Sequence, residues 1–295
     1  MTKNIIAIDL GSNSMRFLKI NCETKETLGA FDKSVKTADG LAVTGMIGEA
    51  TVERIISAIN EAKACMDFTE STIKAVTTEA IRQAQNSDEV LAKIEEQTGI
   101  LFKIIDGEEE ARYALIAAQN RLKLLGEEPK SFMLADIGGA STELIFHYGN
   151  QTISKSFNVG IVTVTQTFKT LKDIADAIPA IMNPLKLFCD EVYAKHGKVE
   201  RFIAIAGTPT TIAAMKLGMS YNTYDGSKIH GTILSRQDLI EQLSALLKMN
   251  KQERERVVGV GREDFIASGV LIYDELYEIG GFKESVVIDD GVREG

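Results

Sequence analysis

The sequence predicts an α/β protein built from two similar halves. Three observations carry that prediction. Apolar segments of strand length alternate with amphipathic segments of helix length. A pattern of strand, aspartate, glycine turn, hydroxyl residues and strand occurs twice. The 295 residues, 44% of them hydrophobic, are enough to fill two cores.

Asn4 to Leu10 is an apolar, β-branched run that breaks at Gly11, Ser12 and Asn13 and resumes from Met15 to Ile20, which reads as two strands joined by a tight polar turn. Val52, Ile55, Ile56 and Ile59 recur at helical spacing within Thr51 to Ala64. A strand over Thr72 to Val76 follows, then a helix from about Asp88 to Thr98 ended by Gly99, a short strand over Leu101 to Ile105, and a long helix from Glu108 to about Leu125. After a loop the opening pattern returns: a strand over Phe132 to Ile137, a turn at Gly138 to Ser141, and a strand over Thr142 to Tyr148. An internal duplication is the economical reading, with domains over 1–124 and 125–295. Helical stretches follow over Ile174 to Lys195 and Arg236 to Leu247, with a strand at Phe202 to Ala206 and an apolar helix after Asp264.

Composition excludes several classes. Lysine and arginine total 33 against 42 acidic residues, a net charge of −9, which argues against nucleic acid or an anionic membrane as a partner. Three scattered cysteines, Cys22, Cys65 and Cys189, suggest neither a zinc site nor a disulfide framework and read as a reducing, cytoplasmic setting. No signal peptide or membrane-spanning run is expected. With only three histidines, multi-histidine metal centres are not expected either. Apolar surface on the helices is compatible with a homodimer.

The chemistry must then come from carboxylates and glycine-rich loops. Each glycine turn, Gly11-Ser12-Asn13-Ser14 and Gly138-Gly139-Ala140-Ser141-Thr142, would gather backbone N–H groups and hydroxyls at a strand end, a geometry suited to phosphate. One such turn alone means no more than a hairpin; the repetition favours ligand loops. A third loop, Gly207-Thr208, follows a strand and opens a helix. Asp9 and Asp136 precede the two turns at equivalent places, where a carboxylate either holds magnesium or forms the turn, and Glu143 shares a strand face with Ser141. In the stretch Asp106 to Arg112, Asp106 caps the helix, Glu109 completes a capping box and Glu108 can pair with Arg112. Glu110 is left without a structural job and is the candidate general base. Arg16, in an otherwise apolar strand, is expected to face an anion. Arg82, Arg262 and Arg293 lie in polar surroundings that would also suit solvated or ion-paired side chains.

Taken in order, Asp9-Leu-Gly-Ser-Asn-Ser-Met-Arg16, Thr77-Thr-Glu-Ala-Ile-Arg82 with Asn86, Gly107-Glu-Glu-Glu-Ala-Arg112, Asp136-Ile-Gly-Gly-Ala-Ser-Thr-Glu143, Arg262-Glu-Asp264 with Gly269, and Asp290-Gly-Val-Arg-Glu-Gly295 resemble the exopolyphosphatase/guanosine pentaphosphate phosphohydrolase family, in its short two-domain form. The resemblance implies an actin/hexokinase/Hsp70-like fold, two α/β domains around a cleft. It also implies hydrolysis of terminal phosphoanhydride bonds of inorganic polyphosphate or guanosine pentaphosphate, assisted by Mg2+ or Mn2+. It places the base at Glu110, metal at Asp136 and Glu143 with Asp9 near it, and phosphate at the three loops, Arg16 and Arg262. Ala140 stands where the family usually has a third glycine, and Asp106 where it commonly has serine. Two other readings share these loops: an actin-fold small-molecule kinase and a non-hydrolysing guanosine tetraphosphate sensor.

Overall fold

The computed structural model describes residues 3–295 and divides into two compact units, one reaching to Glu110 and including Val292–Glu294, the other spanning Ala111–Gly291.

In the first unit, strands β1 (Asn4–Leu10), β2 (Ser14–Asn21) and β3 (Thr27–Ser34) form an antiparallel meander. Helices α1 (Leu41–Thr44) and α2 (Glu49–Cys65) lead to β4 (Ser71–Thr77), which lies parallel to β1. Helices α3 (Glu79–Gln83) and α4 (Ser87–Thr98) then lead to β5 (Phe102–Ile104), parallel to β4. The sheet order is β3-β2-β1-β4-β5. Helix α2 forms because Val52, Ile55, Ala58, Ile59 and Ala62 make one apolar stripe, and all five are buried. Helix α5 (Gly107–Leu124) starts in this unit and continues into the next.

The second unit repeats the plan. Strands β6 (Ser131–Ile137), β7 (Thr142–Tyr148) and β8 (Gln151–Phe157) form the meander. Helices α6 (Ile161–Thr167), α7 (Leu171–Ile181) and α8 (Asn183–His196) cross to β9 (Arg201–Ile205), parallel to β6. After α9 (Gly207–Lys216) and α10 (Gly226–Ile229) come β10 (Thr232–Ser235), α11 (Arg236–Lys248), α12 (Lys251–Val258), α13 (Ile266–Gly280) and β11 (Glu284–Val287). The order β10-β11-β9-β6-β7-β8 contains, read backwards, the five-strand order of the first unit, with β10 added at the edge. This is the duplicated α/β architecture of the actin/hexokinase/Hsp70 type. Its core in the second unit joins the alanine-rich face of α5, with Ala111, Ala114, Ala118 and Leu122, to Leu134, Ile145, Ile203 and Val286 of the sheet. Each fully buried leucine, isoleucine or valine side chain there contributes roughly 1.5–3 kcal/mol.

The single helix expected over Ile174 to Lys195 is two helices. Pro184 sits in the first turn of α8; it has no N–H to bond four residues back, and its ring excludes that carbonyl, so α7 ends at Ile181. Among the described residues no helix is long and apolar enough to cross a membrane.

Candidate active site

The two glycine turns have the same backbone geometry. Gly11 N donates to Ser14 O at 3.0 Å, and Gly138 N donates to Ser141 O at 2.9 Å. Behind each turn, the chain that follows the third strand of the meander takes up the turn's carbonyls. In the first unit Asn13 O accepts from the amides of Val35 and Lys36, and Ser12 O from Ala38. In the second, Gly138 O accepts from Ile161, and Gly139 O from Val162 and Thr163, the first amides of α6. With their carbonyls bound from behind, the turns present the amides of Ser12 and Asn13, and of Gly139, Ala140 and Ser141, none of which has a protein partner among the described residues. This is the anion-binding arrangement expected of oriented backbone dipoles. It demands close packing: a Cβ on Gly160 would lie 2.3–2.4 Å from the backbone of Gly139 and Ala140. The supporting segments Val35–Ala38 and Gly160–Thr163 were not legible in the sequence, because they act through backbone groups that any residue carries.

Strand register sets the side chains beside the turns. Asp9 is the cross-strand partner of Arg16, which in turn faces Asp32 on β3. Asp136 is the partner of Glu143, which faces Ser156 on β8. The equivalent rows therefore differ in charge: carboxylate, guanidinium, carboxylate in one unit, and two carboxylates followed by a hydroxyl in the other. Arg16 is half-buried in a row of charges, not in an apolar core. Asp32 is also held by Arg293 from the Asp290 to Gly295 motif. In the second row Glu143 is 1% exposed and its Oε1 accepts from Ser156 Oγ at 2.6 Å, while Asp136 is 9% exposed.

These two adjacent buried carboxylates fit magnesium or manganese. Their donors are all oxygen, and magnesium characteristically takes one or two carboxylates and fills its remaining positions with water and phosphate oxygens. Among the described residues there is no group of three or more His, Cys, Asp or Glu side chains that could hold a metal ion. Asp9, the equivalent carboxylate of the first unit, lies opposite Arg16.

The third loop begins at Ala206, whose φ of 77° and ψ of −174° place an alanine in a region that is essentially glycine territory. Gly207 and Arg262, distant in sequence, meet there: a Cβ on Gly207 would lie 3.8 Å from Arg262 Nη1. Thr208 and Thr142 are placed differently from their neighbours. Thr208 is 1% exposed with Oγ1 against Gly269 of α13, and Thr142 Oγ1 donates to Val159 O at 2.6 Å. The Thr142 hydroxyl is thus committed to the scaffold, whereas Thr208 Oγ1 is buried with no hydrogen-bond partner among the described residues.

The three consecutive glutamates of α5 occupy three environments, as 100° steps around a helix require. Glu108 is exposed, Glu109 is held by Lys103 Nζ at 2.7 Å, and Glu110 is 7% exposed. Asp106 caps the helix, accepting from Glu109 N at 2.8 Å. Arg112 lies over the Tyr113 ring. Beside Glu110 is Arg82, with Nη1 at 3.8 Å from Oε2. Arg82 also donates to Ile105 O and pairs with the buried Glu79. Of the two surroundings expected for Arg82, solvent or an ion pair, the structure shows the ion pair, and its place in the Thr77 to Arg82 motif is the sequence signal for it.

Asp290, in the last motif, is bound by Arg121 through contacts of 2.7 and 3.1 Å, and His230 Nε2 lies 3.7 Å from it. Burial lowers the His230 pKa below its ordinary value, with Arg121 adding to the effect and Asp290 opposing it.

Comparison with known proteins finds relatives that align over nearly the whole chain. Exopolyphosphatase 2 of Mycobacterium tuberculosis is 25% identical over 314 aligned positions that cover 99% of this chain and 96% of the relative. A guanosine-5'-triphosphate,3'-diphosphate pyrophosphatase of Pseudoalteromonas translucida is 27% identical, covering 99% of this chain and 58% of its own. The solved structure of the Aquifex aeolicus PPX-GPPA enzyme superposes with a TM-score of 0.76 at 28% identity, covering 99% of this chain and 97% of that one. Residues 23–295 match the model of the Ppx/GppA phosphatase family, and the chain belongs to that family.

Proposed function

We propose that the chain releases the terminal phosphate of inorganic polyphosphate, of guanosine pentaphosphate, or of both, by attack of water on the terminal phosphoanhydride. The observation that carries the reading is the burial of Glu110, alone among three consecutive glutamates, in the first turn of α5. The names of the relatives, an exopolyphosphatase and a guanosine-5'-triphosphate,3'-diphosphate pyrophosphatase, support the two substrate classes.

In this mechanism Glu110 accepts a proton from water as the oxygen bonds to the terminal phosphorus; the bridging P–O bond breaks and its electrons leave with the shortened chain. The free amides of the turns at Ser12 and at Gly139 to Ser141, with Arg16 and Arg262, hold phosphate oxygens and stabilise charge that builds in the transition state. Magnesium or manganese, held by Asp136 and Glu143, would supply neutralisation of phosphate charge. Domains over 1–124 and 125–295 and a reducing, cytoplasmic setting complete the reading.

Incubation with Mg2+ and each substrate in parallel tests it. Phosphate release supports hydrolysis. Phosphorylation of an added acceptor in place of phosphate release would indicate a kinase, and nucleotide binding without turnover would indicate a sensor; either would contradict the proposal.

A further inference from the structure

A cavity of about 290 Å³ in the second unit takes no part in that mechanism. It lies among α6, α7, the end of α11, α12 and the start of α13. Buried Ile174, Leu246 and Ile266, with half-buried Phe168, make much of its wall apolar. Against that wall stand two cations, Lys169 and Arg254, and two carboxylates, Glu263 and Asp264, so the charges of the lining cancel. An ion of either sign gains nothing from their sum.

Glu263 is already engaged. Its Oε2 accepts from Gly261 N at 2.6 Å, and its Oε1 lies 3.6 Å from Lys251 Nζ. Arg254 is anchored at one nitrogen only: Nη1 donates to Met249 O at 2.8 Å, just beyond the end of α11. Its Nε–Nη2 edge has no partner among the described residues. By that same edge Arg121 holds Asp290 and Arg236 holds Asp274, so the fold uses it elsewhere to grip carboxylates with two N–H groups. The exposed Asp264 carboxylate likewise has no hydrogen-bond or ion-pair partner among the described residues. A guanidinium edge and a carboxylate that line one cavity without pairing leave room for a molecule that bridges them.

We infer that this cavity binds a free apolar α-amino acid, with its carboxylate on the Nε–Nη2 edge of Arg254, its ammonium at Asp264 and its side chain against Ile174, Leu246 and Ile266. A zwitterion answers both charges, whereas an ion of one sign answers one and is repelled by the other. The bidentate pair fixes the ligand's orientation and the apolar wall selects its side chain. The volume stands at the lower end of the roughly 300–1,000 Å³ usual for ligand sites, which suits a ligand of this size. The ordinary reading of the same residues is a water-filled crevice with a solvated arginine at its side, and it predicts no saturable binding. This site and the proposed hydrolysis stand independently of each other.

Isothermal titration of the full chain with leucine, isoleucine and phenylalanine tests the site, beside 4-methylpentanoate, which is leucine without the ammonium, and 3-methylbutylamine, which is leucine without the carboxylate. At least one of the amino acids is expected to bind with a Kd of about 1 mM or tighter, and each truncated analogue at least about tenfold more weakly. Arg254→Gln is expected to weaken binding at least about tenfold, and so is Arg254→Lys, because an ammonium cannot offer two parallel N–H groups. If the Arg254 variants fail to fold, Asp264→Asn, at an exposed position, takes their place with the same expectation. A parent chain that binds none of the three amino acids overturns the inference. An analogue that binds as tightly as the amino acid, or a folded variant with unchanged affinity, overturns it too. A crystal structure of the complex is expected to show the carboxylate on Arg254; an amino acid seated elsewhere contradicts the assignment. Phosphate release by the parent decides the proposed function and leaves this outcome untouched.

Discussion

A single residue carries the clearest backbone cost in the molecule. Ala206 is held with φ 77° and ψ −174°, where a Cβ is strained by roughly 1–3 kcal/mol, and it opens the loop where Gly207 meets Arg262. Strain of this kind is characteristic of positions whose conformation serves function more than stability, as the ligand role proposed for this loop requires. Ala206→Gly should relieve it. After the loss of roughly 0.5–1 kcal/mol to the freer unfolded chain, we expect a net gain of about 1 kcal/mol and a melting temperature higher by a few degrees. A lower melting temperature would show that the Cβ makes contacts that outweigh the strain. At the same scale, Thr142 shows that a hydroxyl beside a glycine turn can belong to the scaffold, since its Oγ1 donates to Val159 O.

The element that organises the site is the three-stranded meander with the segment behind its first turn. Because a Cβ at Gly160 would fall inside the backbone of Gly139 and Ala140, Gly160→Ala must push α6 off the turn and rotate the turn's amides. We expect it to abolish phosphate release and to lower the melting temperature by several degrees; an active, stable variant would mean that the turn tolerates rearrangement.

The C-terminal motif makes a pH prediction. His230 has its pKa lowered in the folded protein, so the unfolded chain binds more protons in the window from about pH 6.5 downward, and stability is lost as pH falls through it. His230→Asn should therefore reduce the drop in melting temperature between pH 7 and pH 5. An unaltered drop would locate that proton uptake elsewhere.

Much of this scale was legible in the sequence. The strands at Asn4 and Thr142, the stripe of α2 and the cap at Asp106 each carry a local signal of alternation, periodicity or side-chain chemistry. The edge strands β3 and β8 were missed because both carry polar, exposed residues that provide little apolar pattern. The break between α7 and α8 was missed because Ile174, Ile178, Leu185, Cys189 and Val192 remain buried in helical phase across it.

At the scale of the whole molecule, duplication supplied two copies of one anion-binding turn, and divergence made their charge rows unlike. Arg16 stands where the other copy has Glu143. Under the proposed function, the first turn would meet phosphate directly and the second through a hard cation. We expect Mg2+ or Mn2+ to support activity, zinc to be dispensable, and exhaustive chelation to abolish turnover; full activity after chelation would remove the role given to Asp136 and Glu143. The sequence could place both turns by their motifs. It could not show the arginine that links Glu79 to Glu110, because that contact depends on how α3 packs against the start of α5.

The central claim is that Glu110 is the general base of a phosphoanhydride hydrolase, and the most direct measurement is kcat for phosphate release by Glu108→Gln, Glu109→Gln and Glu110→Gln beside the parent. Glutamine keeps size and hydrogen bonding but cannot take the proton, and loss of a general base typically costs about a hundredfold to ten-thousandfold. The account predicts at least about a hundredfold loss for Glu110→Gln with substrate binding and melting temperature little changed, and rates within about tenfold of the parent for the other two. An active Glu110→Gln beside an inactive Glu143→Gln would contradict it and move the base to the second turn.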